Sequence, residues 1–201
     1  YVLELEVTGE KPALDAAGVM TSGDKQFSAI VEGFNDSTST TSCSGLGDID
    51  RKRPTANETQ RRGRWSKPGE KNHLRVEVRE SVIRVTLNDE VIIEWRGNHS
   101  RLSRSAFTYV DDASRPYLGS QGQKLVYHSA KLTPISGEVR MLRAGDTVAR
   151  PSADVIDLLS KVDLRQDQLS GTWRMERGQL ISPTSYGAIV KLPGALPEEY
   201  K

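Results

Sequence analysis

The chain has 201 residues, of which 36% are hydrophobic and 27% charged, and its formal net charge is +1. This length suits one large all-β domain, and the composition supports a moderate core beneath a large polar surface. Because the charge is close to zero and the sequence has no run of about 18 apolar residues, we expect neither nucleic-acid binding nor membrane insertion.

Most segments alternate apolar and polar residues with a period of two, which is typical of strands that have one face on a core. Strands are predicted, in chain order, at residues 1–7, 26–34, 72–79, 81–87, 91–95, 115–120, 124–132, 171–176, 179–182 and 186–192. The polar tract over 35–44 predicts a loop. The strands between residues 72 and 95 are separated only by turn residues, which predicts an antiparallel meander.

One segment departs from this pattern. Residues 152–160 follow Pro151 and have apolar residues at positions that suit a short helix packed on one face. The sequence therefore predicts an all-β fold, a two-layer antiparallel β-sandwich, with one short helix near 152–160. Since the strand pattern begins at the first residue, we also expect the chain to be part of a longer protein.

Several segments, taken in their order along the chain, resemble a known family. They are Ser44–Asp50, Ile92–Gly97, Ser100–Ser103 and Val126–Leu132. Together they resemble a bacterial family of concanavalin A-like, LamG-type jelly-roll domains that occur in large multidomain proteins, often beside Ser/Thr kinase domains. The family is distantly similar to the 3-keto-disaccharide hydrolase-like domains.

The resemblance implies a division of the chain. It covers residues 1–143, the main jelly-roll sandwich, and leaves 144–170 as a linker that contains the short helix. Residues 171–201 look like the segment that opens such a domain, which suggests a permuted unit of a tandem array. We expect this C-terminal hairpin and strand to complete the sandwich of the same or of a neighbouring chain, because vacant sheet edges pair with strands.

The sequence offers no catalytic constellation. Laminarinase-like relatives carry Glu-x-Asp-x-x-Glu on one strand, and glycoside hydrolysis needs two opposed carboxylates. That spacing is absent, and Glu4 and Glu6 are explained by the polar face of a strand. Asp48 and Asp50, which lie beside glycines, form a short acidic loop that is a possible Ca²⁺ site, although Asp and Gly are also ordinary turn residues. No other cofactor is expected.

Candidate ligand-binding residues lie in two irregular stretches. Trp65 and Arg64 belong to a basic stretch over 51–67, which is read either as a site for an acidic glycan or phosphate groups, or as a solvated loop. Tyr109, with Asp111 and Asp112 close to it, is the second candidate. An aromatic ring beside polar side chains is the arrangement that orients a sugar.

These observations favour a non-catalytic binding or interaction module of a larger protein. Its expected partners are a carbohydrate, by resemblance, or neighbouring protein domains, with strand exchange between chains as a further possibility. A glycoside-acting hydrolase of the 3-keto-disaccharide hydrolase-like type and a structural spacer are the alternatives. An extracytoplasmic location is expected if the partner is a glycan.

Overall fold

The computed structural model describes residues 1–22, 25–34, 42–103, 110, 112, 114–136, 139–141, 148–149 and 155–196. The strands within these ranges are β1 (Val2–Gly9), β2 (Ala16–Ser22), β3 (Lys25–Gly33), β4 (Ser42–Gly47), β5 (Arg61–Gly63), β6 (Asn72–Arg79), β7 (Val82–Leu87), β8 (Glu90–Trp95), β9 (Tyr117–Ser120), β10 (Leu125–Thr133), β11 (Val139–Met141), β12 (Val148–Ala149), β13 (Ile156–Asp157), β14 (Gln168–Ser170), β15 (Arg174–Glu176), β16 (Gln179–Ile181), β17 (Ala188–Lys191) and β18 (Gly194–Ala195). The helical elements there are 3₁₀ turns at Pro54–Ala56, His99–Arg101 and Leu159–Lys161, and one short helix, α1 (Leu164–Asp167). None of these helices is long and apolar enough to cross a membrane.

Two antiparallel sheets pack against each other as a sandwich. Among the described strands, the first sheet has eight, in the order β15-β16-β10-β1-β6-β7-β8, with β13 also paired to β10. The second has seven, in the order β14-β17-β9-β2-β3-β4-β5, and a small separate sheet has the order β12-β11-β18. The prediction of an all-β, two-layer antiparallel sandwich with a short helix is confirmed.

The core lies between the two sheets and is built from alternate residues of their strands. In β1, Leu3, Leu5 and Val7 are buried in it, while Glu4 and Glu6 between them are only partly covered. Successive side chains of a strand point to opposite faces, so one register of β1 faces the core and the other faces solvent. Pairing of Leu3 with Leu132 and Val76 places apolar side chains together across neighbouring strands.

Several described strands are absent from the prediction, among them β2 and β4. The described residues of β2 are buried on both faces, and every residue of β4 is buried, although residues 35–44 had been predicted as a loop. Alternation of apolar and polar residues appears only when one face of a strand is wetted. Both strands are covered on both sides and consist mostly of small residues, so the period of two is missing from their sequences.

The short helix is present, but it lies beyond the predicted position at 152–160. In the described part of that segment, Ile156 and Asp157 pair with β10, and Leu158 continues the pairing by donating its N–H to the carbonyl of Ala130 at 2.8 Å. The Asp157 carboxylate then accepts the N–H of Leu159 at 3.0 Å, which starts the 3₁₀ turn. Edge pairing with β10 therefore takes the place of a helix, and α1 begins after the Asp163 cap.

The C-terminal segment contributes strands to both sheets of the same chain. β16 pairs with β10 in the first sheet, and β17 pairs with β9 in the second. Leu180 and Val190 from these strands are fully buried in the common core. The division of the chain at residues 143 and 170 and an exchange of strands between chains stay predictions.

Candidate functional site

The outer face of the eight-stranded sheet is a network of ion pairs. Arg75 lies 3.7 Å from Glu4 and 2.8 Å from Glu77, and Arg84 lies 2.7 Å from Glu94. Burial acts to raise the pKa of Glu77, but hydrogen bonds and charge from its arginine neighbours hold that pKa below its ordinary value. The charges on this face are thus matched by one another.

The outer face of the seven-stranded sheet is apolar where β2 and β3 pair. Ala16 and Val31 belong to the core, so their neighbours Ala17 and Ile30, which pair with each other, point to the opposite face. Towards the other end of β2 this face is covered by Val110. The side-chain N–H of Gln26 donates to the Val110 carbonyl at 3.3 Å, and the Val110 N–H donates to the side-chain oxygen of Gln26 at 3.3 Å. The end at which β2 begins is not covered in this way.

A cavity of about 450 Å³ opens over this uncovered end. Because neighbouring strands of the sheet are antiparallel, β2 and β17 begin at this end while β3, β5 and β9 finish there. The connections that leave these strand ends form the walls of the cavity. Its lining residues are Lys11, Pro12, Ala13, Asp15, Ala17, Ile30, Gly33, Phe34, Arg64, Gln121, Gln123 and Tyr186.

The lining combines exposed aromatic rings with a few polar groups. Tyr186 is 82% exposed and Phe34 is 42% exposed, which is unusual for side chains of this size. The guanidinium of Arg64, the ammonium of Lys11 and the carboxyl group of Asp15 supply hydrogen-bonding groups around these rings. Such a mixture of apolar wall and sparse polar groups is typical of small-ligand sites.

Asp15 is the acidic residue of the cavity lining. Burial raises the pKa of its carboxyl group to about 7, although the positive charge of Lys11 acts to lower it. Among the described residues none donates a hydrogen bond to this carboxyl group. The backbone of Asp15 is also in the left-handed region, with φ of 46°, which is uncommon outside glycine and clusters at functional sites.

The buried side chains of Gln123 and Glu32 hold the walls of the cavity in place. The amide of Gln123 donates to the carbonyl of Ala13 at 2.5 Å and also to that of Leu14, which ties the β9–β10 connection to the β1–β2 connection. Lys11 joins the same two connections, because its Nζ donates to the carbonyl of Gly122 at 2.8 Å. The positions of Asp15 and Lys11 are thus fixed relative to β9.

Glu32 fixes the opposite wall of the cavity by hydrogen bonds to two connecting segments. Its fully buried carboxylate accepts the N–H of Leu14 at 2.8 Å and that of Ser66 at 2.8 Å, and it also accepts the N–H of Trp65. These bonds replace the water that a buried carboxylate would otherwise need. Because Arg64 immediately precedes this bonded segment, Glu32 places Arg64 beside the cavity.

Arg64 and Trp65, which are adjacent in sequence, lie in different surroundings. Arg64 is exposed and lines the cavity, whereas Trp65 is not among the lining residues. The indole of Trp65 packs against the core, donates to Glu90 at 2.8 Å and has the guanidinium of Arg61 5.1 Å from its ring centre. It also lies across Gly63, where an added Cβ would be 2.5 Å from the ring.

The second predicted group is only partly visible. Tyr109 and Asp111 lie outside the described residues. Asp112 accepts the N–H of Ser114 at 3.1 Å and lies 3.4 Å from Arg115, so its carboxylate stabilises the turn that precedes β9. Asp112 is not among the residues that line the cavity.

The acidic loop proposed for Ca²⁺ is occupied by an ion pair. Arg101 donates to the Asp50 carboxylate at 2.7 and 3.0 Å, and this hydrogen bond lowers the pKa of Asp50. The neighbouring Asp48 is buried, and burial raises its pKa. Within the described ranges, no three His, Cys, Asp or Glu side chains are grouped as a metal site would require.

The cavity residues other than Arg64 were not found from the sequence. Lys11 and Asp15 are separated from Gln121 and Tyr186 by more than a hundred residues, and each lies in a connection rather than in a strand. Only the strand order could have indicated this cavity, because the connections at one end of a sheet lie close together in space. No protein-family model matches the sequence, and no curated protein is significantly similar to it.

Proposed function

We propose that this protein is a non-catalytic binding module of a larger protein and that it holds a carbohydrate in the cavity at the end of the seven-stranded sheet. The observation that carries this proposal is the exposed ring of Tyr186, set beside the carboxyl group of Asp15, the guanidinium of Arg64 and the amide of Gln121 in one hollow. A solvent-exposed ring of this size has no role in the core.

The arrangement suits a sugar because a pyranose has both an apolar face and a rim of hydroxyl groups. The C–H face packs on an aromatic ring, while the hydroxyls exchange hydrogen bonds with a small number of fixed polar groups. Phe34 and Ile30 provide further apolar wall, and the cavity volume of about 450 Å³ accommodates one or two sugar residues.

A binding role is favoured over hydrolysis by the carboxyl groups. Glycoside hydrolysis commonly uses two carboxyl groups on opposite sides of the scissile bond. Asp15 is the one acid among the lining residues of the cavity. The neighbouring Glu32 is fully buried and accepts hydrogen bonds from backbone N–H groups instead of facing the hollow.

A jelly roll of the concanavalin A-like, LamG type is the finer architecture that we propose for the sandwich. In its support, the chain places β1 in the first sheet, β2 to β5 in the second, β6 to β8 in the first, β9 in the second and β10 in the first. Repeated crossing between two antiparallel sheets in this way is characteristic of jelly rolls.

The test is a screen for ligands followed by substitution of the ring. Thermal unfolding is measured with methyl glycosides of glucose, galactose, mannose and N-acetylglucosamine and with the matching uronic acids, with and without Ca²⁺. We expect a saccharide to raise the midpoint of unfolding, and titration calorimetry to give a dissociation constant that Tyr186→Ala weakens about ten-fold or more.

Tyr186→Phe is the matched control, because it keeps the ring and loses only the hydroxyl group. We expect its affinity to stay within about three-fold of the unmodified protein. Absence of any response across the whole panel would contradict a carbohydrate ligand and would favour the spacer role. Release of reducing sugar from a glycoside substrate would instead favour the hydrolase.

A further inference from the structure

We infer that the carbohydrate bound in this cavity is an acidic one, a uronic-acid residue whose carboxylate is held by Arg64 and Lys11. This inference rests on the proposed function and goes beyond it by naming the class of sugar. It follows from the charges of the cavity lining and from the partners that those charges have or lack.

Arg64 differs from Arg61 and Arg101 in the partners of its guanidinium. Arg61 lies 2.8 Å from Glu90, and Arg101 lies 2.7 Å from Asp50. Among the described residues, none forms an ion pair or a hydrogen bond with the guanidinium of Arg64, which projects into the cavity region from the segment fixed by Glu32. A guanidinium presents paired N–H donors that match the two oxygens of a carboxylate.

Lys11 provides a second positive charge in the same hollow. Its Nζ uses one hydrogen bond, to the carbonyl of Gly122 at 2.8 Å, and an ammonium group has three donors. The bond to Gly122 orients the ammonium group without neutralising it, because a carbonyl carries no net charge. Lys11 can therefore still donate to an anionic ligand.

The acidic residues nearby do not cancel these two charges at mildly acidic pH. The titratable and charged groups around Asp15 are Lys11 on its own connection, Arg64 after β5, Glu32 at the end of β3 and Tyr186 before β17. Glu32 directs its carboxylate to the backbone N–H groups of Leu14 and Ser66. Burial raises the pKa of Asp15 to about 7, so below that pH Asp15 is neutral and the cavity is positively charged.

This geometry predicts how the affinity depends on pH. A uronate carboxylate is ionised throughout the neutral pH range, as ordinary carboxylates are. When the pH rises through 7, Asp15 loses its proton and places a negative charge beside the ligand. Affinity for the acidic sugar should therefore fall between about pH 6 and about pH 8, while affinity for the neutral sugar should change less.

The experiment compares matched ligands by titration calorimetry with the full chain. The probes are methyl β-D-glucuronide against methyl β-D-glucoside, and methyl β-D-galacturonide against methyl β-D-galactoside, since the members of each pair differ only at C6. At about pH 6 we expect the better uronide to bind about ten-fold more tightly than its neutral partner. Acetate is included as a simple anion and is expected not to compete.

Variants then assign the difference to Arg64. Arg64→Gln should remove most of the preference for the uronide, so that the affinities for the uronide and for the neutral glycoside come within about two-fold of each other. Arg62→Gln makes the same charge change at an exposed residue of β5 that does not line the cavity, and it should preserve the preference. Thermal unfolding without ligand establishes that both variants are folded.

The possible failures are distinct. Equal binding of the acidic and neutral members of each pair would overturn the inference while leaving carbohydrate binding intact. No binding of either member would overturn both the inference and the proposed function. Competition by acetate as effective as that of the uronide would also overturn the inference, because it would identify a site for small anions without a sugar.

Discussion

Asp15 is the residue in which burial and charge conflict most directly. Its carboxyl group is partly covered by the cavity wall, and among the described residues none donates a hydrogen bond to it. Burial is therefore tolerated because the carboxyl group keeps its proton to a higher pH than usual. A free carboxyl group loses its proton near pH 4. The folded protein therefore binds a proton at this site over a range in which the unfolded chain does not.

We expect this linkage to appear in the stability of the protein. Between the ordinary pKa of 3.8 and the raised pKa of about 7 the folded state binds more protons, so the free energy of unfolding should fall as the pH rises through this range. Asp15→Asn should abolish this decrease and make the protein more stable than the unmodified chain by roughly 2 kcal/mol at about pH 8, after allowance for solvent screening.

Urea unfolding at a series of pH values would measure the effect. Asp89→Asn is a suitable control, because Asp89 lies in the exposed turn between β7 and β8 and does not line the cavity. If Asp15→Asn and the unmodified protein lost stability in parallel above about pH 5, the carboxyl group of Asp15 would not be the group that holds the extra proton.

Trp65 has partners within the protein for both its ring and its indole N–H. Its indole is packed against the core, bonded to Glu90 and covered by Arg61. We expect Trp65→Ala to lower the free energy of unfolding by roughly 2 kcal/mol, since a half-buried ring loses only part of the contacts of a core ring. The affinity for a saccharide should stay within about three-fold.

Denaturant unfolding and calorimetry, run side by side on Trp65→Ala and Tyr186→Ala, would separate the two rings. The expected pattern is reciprocal, with stability lost in the first variant and affinity lost in the second. Loss of affinity without loss of stability in Trp65→Ala would place the sugar on the other side of the Gly63–Ser66 segment.

Strands with one solvent-exposed face can be predicted from their alternation of apolar and polar residues. β1, β6 and β7 alternate because their polar residues lie on the ion-paired outer surface, and the predicted meander is present as three paired strands. β2 and β4 are covered on both faces, and their sequences carry no period. The cavity could not be predicted from the sequence for a related reason. Asp15, Arg64 and Tyr186 lie in connections between strands, where hydrophobic periodicity carries no information.

The β15–β16 hairpin extends the edge of the first sheet beyond β10, so its contribution to the core can be measured directly. Leu180 in β16 is fully buried, whereas Met175 in β15 is 38% exposed. Leu180→Ala should lower the free energy of unfolding by about 3 kcal/mol, and Met175→Ala by less than about 1 kcal/mol.

Urea denaturation of the two variants would check this expectation. A small effect of Leu180→Ala, similar to that of Met175→Ala, would mean that the hairpin is not docked on β10 of its own chain in solution. Repeating the measurement at several protein concentrations would reveal strand exchange, because an exchanged dimer is stabilised at higher concentration whereas a monomer is not.

The whole molecule has two unlike outer surfaces. The eight-stranded sheet presents arginine and glutamate side chains that pair with each other, as Arg84 and Glu94 do at 2.7 Å. The seven-stranded sheet presents an apolar surface that is covered towards one end and hollow at the other. Exposed ion pairs of this kind contribute little to stability but keep a surface hydrated.

Tyr186 reaches the hollow from the connection before β17, whereas Lys11 and Asp15 come from the first connection of the chain. During synthesis on the ribosome, the amino-terminal wall therefore emerges long before the ring against which a sugar would stack. A chain that is interrupted before residue 186 would retain most of the sandwich strands and both cationic groups but lack that ring. Glycan binding would consequently require that translation had passed residue 186 of the 201 residues.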